Sequence, residues 1–150
     1  MRVVIQRVSK AGVEVDGKIV SSIGRGILVL AAFKRGDSRD ELEWMARKCL
    51  ELRIFEDEDG KMNRSVIDEE GQVLVVSQFT LFGNCRKGRR PAFTASAPID
   101  EARGLYRTFM DIMSGYYPRV AEGVFRAKMK INLVNEGPVT LIIDREIEGL

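Results

Sequence analysis

Three short segments carry residue types that could act on a substrate. Ser77-Gln78-Phe79-Thr80 closes a valine-rich run, so that two hydroxyls, an amide and several backbone N–H groups can converge at the end of a strand. Such an array holds a carbonyl oxygen as negative charge grows on it. Taken alone, the four residues read more simply as a strand end in which Ser77 and Thr80 satisfy local backbone groups. Just downstream, Arg86-Lys87-Gly88-Arg89-Arg90 sets four cations in five residues, a density suited to phosphate contacts, although an isolated charge run is usually solvated surface. Gly137-Pro138 lies between two apolar runs, 130–135 and 139–143. Proline cannot donate to a sheet ladder, so the dipeptide marks a turn or a deliberate backbone irregularity, and glycine lets a ligand or another backbone approach closely.

The chain contains no histidine, which removes the commonest general base, the Ser-His and Cys-His nucleophile systems and the commonest metal ligand. Other candidate sites are weaker. Gly24-Arg25-Gly26 leads into a strand-like run, whereas phosphate cradling needs a helix N-terminus there. The acidic run 56–60 lacks the alternating ligands of a calcium loop and reads as an exposed turn. Cys49 falls on the buried stripe of a helix. Cys85 adjoins the cationic loop, which could activate its thiol, but a cysteine hydrolase without histidine is poorly equipped. No metal and no cofactor is expected.

The elements that must position these segments follow from pattern. At 150 residues, 45% hydrophobic and 31% charged, the chain reads as one soluble globular domain spanning 1–150. With two cysteines, no apolar run of membrane length and a charged N-terminus, a reduced, cytoplasmic protein is expected. A net charge of +2 leaves any nucleic-acid footprint to a local patch. Val3–Val8, the alternating Val13 and Val15, and Gly26–Phe33 read with Lys18–Ile23 as a three-strand meander turning at Asp16-Gly17. The unbroken apolar run 27–32 suggests a central strand covered on both faces. Ser38 and Glu41 form a capping-box pattern opening a helix to about Leu52, and a second helix begins near Pro98 and buries Ala102, Leu105, Tyr106, Phe109, Ile112 and Met113.

Taken together, 77–81, the loop 86–93 and Asn135-Glu136-Gly137-Pro138-Val139-Thr140 resemble the D-aminoacyl-tRNA deacylases. The resemblance runs the full chain, from Met1-Arg2-Val3-Val4-Ile5-Gln6-Arg7-Val8 through Leu52–Asn63, with several separated motifs in the family's order. It implies a homodimer that hydrolyses the ester joining a D-amino acid, or glycine, to the terminal ribose of tRNA. It also implies that Gly137-Pro138 is a cis peptide reaching into the partner's pocket, fixed by Arg7, with Met129 part of the substrate site. Ser77, Gln78, Phe79 and Thr80 would form the catalytic wall, and Arg86, Lys87, Arg89 and Arg90 the tRNA contact. Where the family often carries an aspartate this chain has Asn84, so a charge-dependent role at that place is not expected.

An unassisted threonine hydroxyl is a poor nucleophile, and no base for Thr80 is visible in the sequence. Oxyanion stabilisation by the amides of Phe79 and Thr80, with the ribose 2′-hydroxyl helping to activate water, is therefore the expected chemistry. The expected fold is a single α/β domain in which two main helices pack on one face of mixed sheet layers. Two rival readings stay open: a non-catalytic RNA-binding module, and a small-ester hydrolase using Thr80 or Cys85.

Overall fold

Strand β1 (Arg2–Val15) is a continuous run of 14 residues whose buried side chains change face partway along. Val3 and Ile5 enter one core, whereas Val8, Ala11 and Val13 enter another. The computed structural model describes residues 1–146, and its architecture grows from that switch. β2 (Lys18–Ile23) pairs with the second half of β1, and β3 (Gly26–Ala32) pairs with the first half. Ala11 opposite Ile23 and Val8 opposite Gly26 belong to one unbroken register. The expected meander is therefore corrected to one long hairpin. Its turn is at Asp16-Gly17 with both residues at positive φ, and its return arm is interrupted at Gly24-Arg25. A meander would have paired β2 with β3, but the bend carries the chain onward along the same edge of β1.

From β3 the chain crosses through α1 (Arg39–Glu51), the small hairpin β4 (Phe55–Glu56) and β5 (Met62–Arg64), and returns as β6 (Gln72–Ser77), parallel to β3. A second crossover through α2 (Ile99–Tyr116) gives β7 (Val120–Glu122), parallel to β6. Parallel neighbours need such crossovers, and both helices lie on one face. Gly26 is required where β3 meets β6, because a Cβ there would come within 1.7 Å of the Gln72 carbonyl oxygen. In α1 the expected cap is present: the Glu41 carboxylate accepts the Ser38 N–H at 2.7 Å and the Ser38 hydroxyl. Pro98 is the N-cap of α2.

The two faces of β3 and β6 feed two cores. Ile27, Val29, Ala31, Val73 and Val75 pack beneath the helices with Leu42, Met45, Phe109 and Met113. Leu28, Leu74 and Val76 face the other way, onto Val8, Val13 and Ile23. The central strand is thus covered on both sides, as its apolar run predicts. β8 (Lys130–Asp144) pairs antiparallel with β1 along nearly its whole length. Met129, Ile131 and Leu133 close over the second core, so the sheet curls back towards a barrel. Among the described residues no helix is long and apolar enough to cross a membrane.

Candidate active site

The parallel strands β3 and β6 end side by side, Ala31 opposite Ser77, which is where helices on one face open a crevice. Gln78 donates its N–H to the Ala31 carbonyl at 2.7 Å, and the chain then tightens into a 3-10 helix, Phe79–Phe82. The first N–H groups of such a turn have no partner within it. Among the described residues the Phe79 and Thr80 amides donate to no backbone acceptor. Two side chains hold the turn from outside. The Ser96 hydroxyl donates to the Phe79 carbonyl at 3.1 Å, and the Arg2 guanidinium donates to the Leu81 carbonyl at 2.9 Å while lying over the Phe82 ring.

Beside this turn is a cavity of about 470 Å³. Its floor is the ends of the two strands, Ala31, Ala32, Phe33, Val76, Ser77 and Gln78, with Phe79 at the turn. Its far walls are Ala97, Ile99 and Ala102 at the start of α2, and Phe125, Arg126, Ala127, Met129 and Ile131 before and within β8. Small side chains make the space, and Arg126 is the one ionisable side chain lining it among the described residues. Ser77, Gln78, Phe79 and Met129, singled out from the sequence, therefore share one pocket. Thr80 is exposed at its rim with its hydroxyl bonded by the Gln78 amide, which is no base in either orientation.

Gly137-Pro138 occupies a bulge inside β8 rather than a turn between two strands, and its peptide is cis. Residues on either side stay paired with β1, with the register shifting opposite Arg7. Arg7 is buried there, at 7% exposure, donating from Nε to the Glu136 carbonyl at 3.1 Å and from Nη1 to the Ile54 carbonyl at 2.7 Å. Asn135 closes the bulge through its amide, which donates to the Val139 carbonyl at 2.9 Å and to the Arg7 carbonyl at 3.3 Å. Gly137 has φ +125, and a Cβ on it would lie 2.7 Å from Arg7 Nη2. The bulge and the pocket stand apart within one chain. Arg7 pairs with Ile27 and Arg2 with Ala32, so about 16 Å of strand separates the two levels.

The cationic loop is pinched at its base by paired backbone bonds between Asn84 and Ala92, 2.7 and 3.0 Å. Arg86, Lys87, Arg89 and Arg90 are all exposed beyond that pinch, with Gly88 at φ +72 shaping the tip. Asn84 caps the turn by accepting the Arg86 N–H at 3.0 Å, a structural use that requires no charge. Cys85 is exposed on this loop and does not line the pocket; Cys49 is buried on the inner face of α1, and burial pushes its thiol up to about 12, so it is inert at neutral pH. The wall formed by Phe125, Arg126 and Ala127 was missed by sequence reasoning. A signal for it lies in Gly123, whose absent side chain leaves room for Met129: the Met129 Sδ would be 2.9 Å from a Cβ there.

Comparison with known proteins follows the same outline. The profile of D-Tyr-tRNA(Tyr) deacylase matches residues 4–144. A D-aminoacyl-tRNA deacylase of Geobacter sulfurreducens is 56% identical over 144 residues, covering 96% of this chain and 95% of that protein. One of Thermomicrobium roseum is 55% identical over 150 residues, covering 99% and 97%. Among solved structures, one described as c-Myc DNA Unwinding Element Binding Protein superposes with a TM-score of 0.93 at 41% identity, covering 98% of this chain and all of that one. A probable eukaryotic D-amino acid tRNA deacylase superposes with a TM-score of 0.85 at 22% identity over 96% of this chain, a likeness of fold.

Proposed function

The chain belongs to the D-Tyr-tRNA(Tyr) deacylase family, and from that membership we propose how its residues carry out the family's reaction. The protein is a hydrolase acting on D-aminoacyl-tRNA: water cleaves the ester between the amino acid and the terminal ribose, releasing both. Glycine esterified to tRNA is accepted as well, since it has no side chain to exclude.

The 3-10 turn supplies the electrophilic assistance. Its two N–H groups without a backbone acceptor among the described residues, on Phe79 and Thr80, are the donors that take the ester carbonyl oxygen as it becomes an oxyanion in this reading. One fixed donor of this kind contributes about 3–4 kcal/mol to the transition state, and a pair offsets much of the barrier of an ester that is already activated. The proton bookkeeping falls to the substrate. No histidine exists in the chain, and among the described residues the lining holds no carboxylate or amine, so the vicinal 2′-hydroxyl of the ribose is the group that activates and orients water. The Thr80 hydroxyl, bonded to an amide, helps shape the turn rather than attacking the ester.

Handedness is read by main chain. In this account Gly137-Pro138 of a second copy covers the pocket and presents its carbonyls to the amino group of the substrate, while the side chain of a D residue points away. An L residue has to drive its side chain into that wall, so rejection arises by clash, which explains indifference to what the D side chain is. The separation of the bulge from the pocket within one chain supports a homodimer with composite sites. The cations of loop 86–90 take the phosphates of the acceptor end.

The observation that carries this reading is the largely apolar pocket, with no general base among its described lining residues, beside a turn whose first two amides have no backbone acceptor among the described residues. Its test is release of amino acid from matched D- and L-tyrosyl-tRNA. Release from the D ester alone is expected; equal release from both refutes the chiral reading, and RNA binding without release from either favours a non-catalytic module.

A further inference from the structure

The loop between β7 and β8 carries cations that the proposed chemistry does not use. Arg126 lines the pocket with its backbone at φ +66, a left-handed conformation uncommon for a residue with a side chain and often found where a ligand is held. The turn that sets it is closed by the Ala127 N–H donating to the Val124 carbonyl at 3.2 Å. Phe125, beside it, is sandwiched: Tyr106 stacks on the ring with centroids 5.5 Å apart, and the Arg103 guanidinium lies 4.9 Å from its centroid. Arg103 is exposed on α2 and is thereby braced on Phe125, a residue of the pocket wall, with no hydrogen bond from its guanidinium among the described residues. Among the described residues neither Arg103 nor Arg126 has a carboxylate within 4.0 Å, whereas their neighbours Arg107 and Lys130 are each paired, with Glu122 and Glu14. Arg126 is the one charged side chain lining the pocket among the described residues, and Arg103 lies over its neighbour Phe125; two unneutralised guanidinium groups so placed suit an anion at the mouth.

We propose that Arg126, with Arg103 braced on Phe125, forms a phosphodiester subsite that seats the linkage next to the terminal nucleoside of a single-stranded RNA 3′ end. The inference rests on the aminoacyl-tRNA reading of the pocket and adds to it a second group, besides loop 86–90, that aligns the strand. Guanidinium suits the task because its planar fork matches two phosphate oxygens at once. A strand held by cations at two points along its length is fixed in direction, which places the ester rather than an internal ribose at the 3-10 turn.

The test compares two substrates that share the ester and differ in the phosphodiester: a D-aminoacyl-tRNA and the same D-amino acid esterified to free adenosine. For Arg126→Ala the expected result is a KM for the tRNA raised about tenfold with kcat unchanged, a salt dependence of binding shallower by about 0.7 in logarithmic slope, and unaltered kinetics on the adenosine ester. Arg126→Lys should recover part of the loss. The control is Arg47→Gln, which removes one charge beside Tyr116 at the far end of α2, about 20 Å along the helix from Ala102. A loss equal on both substrates, no loss on the tRNA, or an equal loss for Arg47→Gln overturns the subsite. If the unaltered protein cleaves neither ester, the reading beneath the subsite fails, an outcome distinct from all of these.

Discussion

The side chains around the proposed reacting ester include none that exchanges a proton near neutral pH among the described lining residues. Among the described residues the pocket lining offers no acid or base other than a guanidinium, so the pH dependence of kcat should show no enzymic ionisation between about pH 5 and 8. A bell-shaped profile with a break near 6–7 would contradict it. Thr80→Ala should keep kcat within about tenfold, since the loss is a bond to Gln78 and not a nucleophile. A fall of several thousandfold with folding and tRNA binding intact would make the hydroxyl the attacking group. Gly137→Ala is a different kind of change: its Cβ would meet Arg7 Nη2 at 2.7 Å in a conformation disfavoured for alanine. It should cost about 1–3 kcal/mol, read as a lowered Tm, and reduce kcat/KM on D-aminoacyl-tRNA. The resemblance links Arg7 to the glycine and proline, but not to the Ile54 carbonyl that also receives it, because an arginine in an apolar strand gives no sign of which carbonyls it will reach.

Elements hold these groups in place, and two latches do most of it. Arg2 joins the end of β8 to the 3-10 turn, with Nε 2.7 Å from Asp144 and Nη1 2.9 Å from the Leu81 carbonyl. Arg2→Met should let the turn relax and lower kcat more than it raises KM, measured at saturating substrate; equal kcat would show the turn to be rigid without it. Glu69 sits between Arg25 at 2.6 Å and Arg64 at 2.8 Å, fastening the bend between β2 and β3 to the segment before β6. Hydrogen bonds from Arg25 and Arg64 hold its carboxyl below the usual glutamate range. The sign follows: this stabilisation is present above the ordinary glutamate pKa of about 4.3 and is lost as pH falls through the depressed native value. Glu69→Gln should therefore lower Tm at pH 7 and leave it unchanged well below that range. The helices were legible because caps and 3.6-residue periodicity are local signals. The long hairpin was not: β1 changes face near Arg7, which breaks the alternation and makes one strand look like two.

At the scale of the whole molecule, the sequence marked the 3-10 turn, the cationic loop and the Gly-Pro bulge separately. What it could not show is which of them meet. Ser77–Phe79 and Met129 meet because two parallel strands end together and β8 curls over them, a consequence of topology that no spacing encodes. The Phe125–Ala127 wall stayed hidden for the same reason. Gly137-Pro138 does not meet them within one chain, and the central claim is that a second chain supplies it. Ala127→Trp, which fills the pocket from a loop, and Gly137→Ala, which damages the bulge, should each be nearly inactive as pure proteins. The decisive measurement is D-tyrosyl-tRNA hydrolysis after the two are unfolded together and refolded as a mixture. Recovery of activity towards a quarter of the wild-type level, with L-tyrosyl-tRNA still refused, is predicted, because half the dimers are mixed and each mixed dimer holds one intact site built from both chains. A mixture no more active than its two components would mean that each chain reads handedness alone, and the account would be wrong.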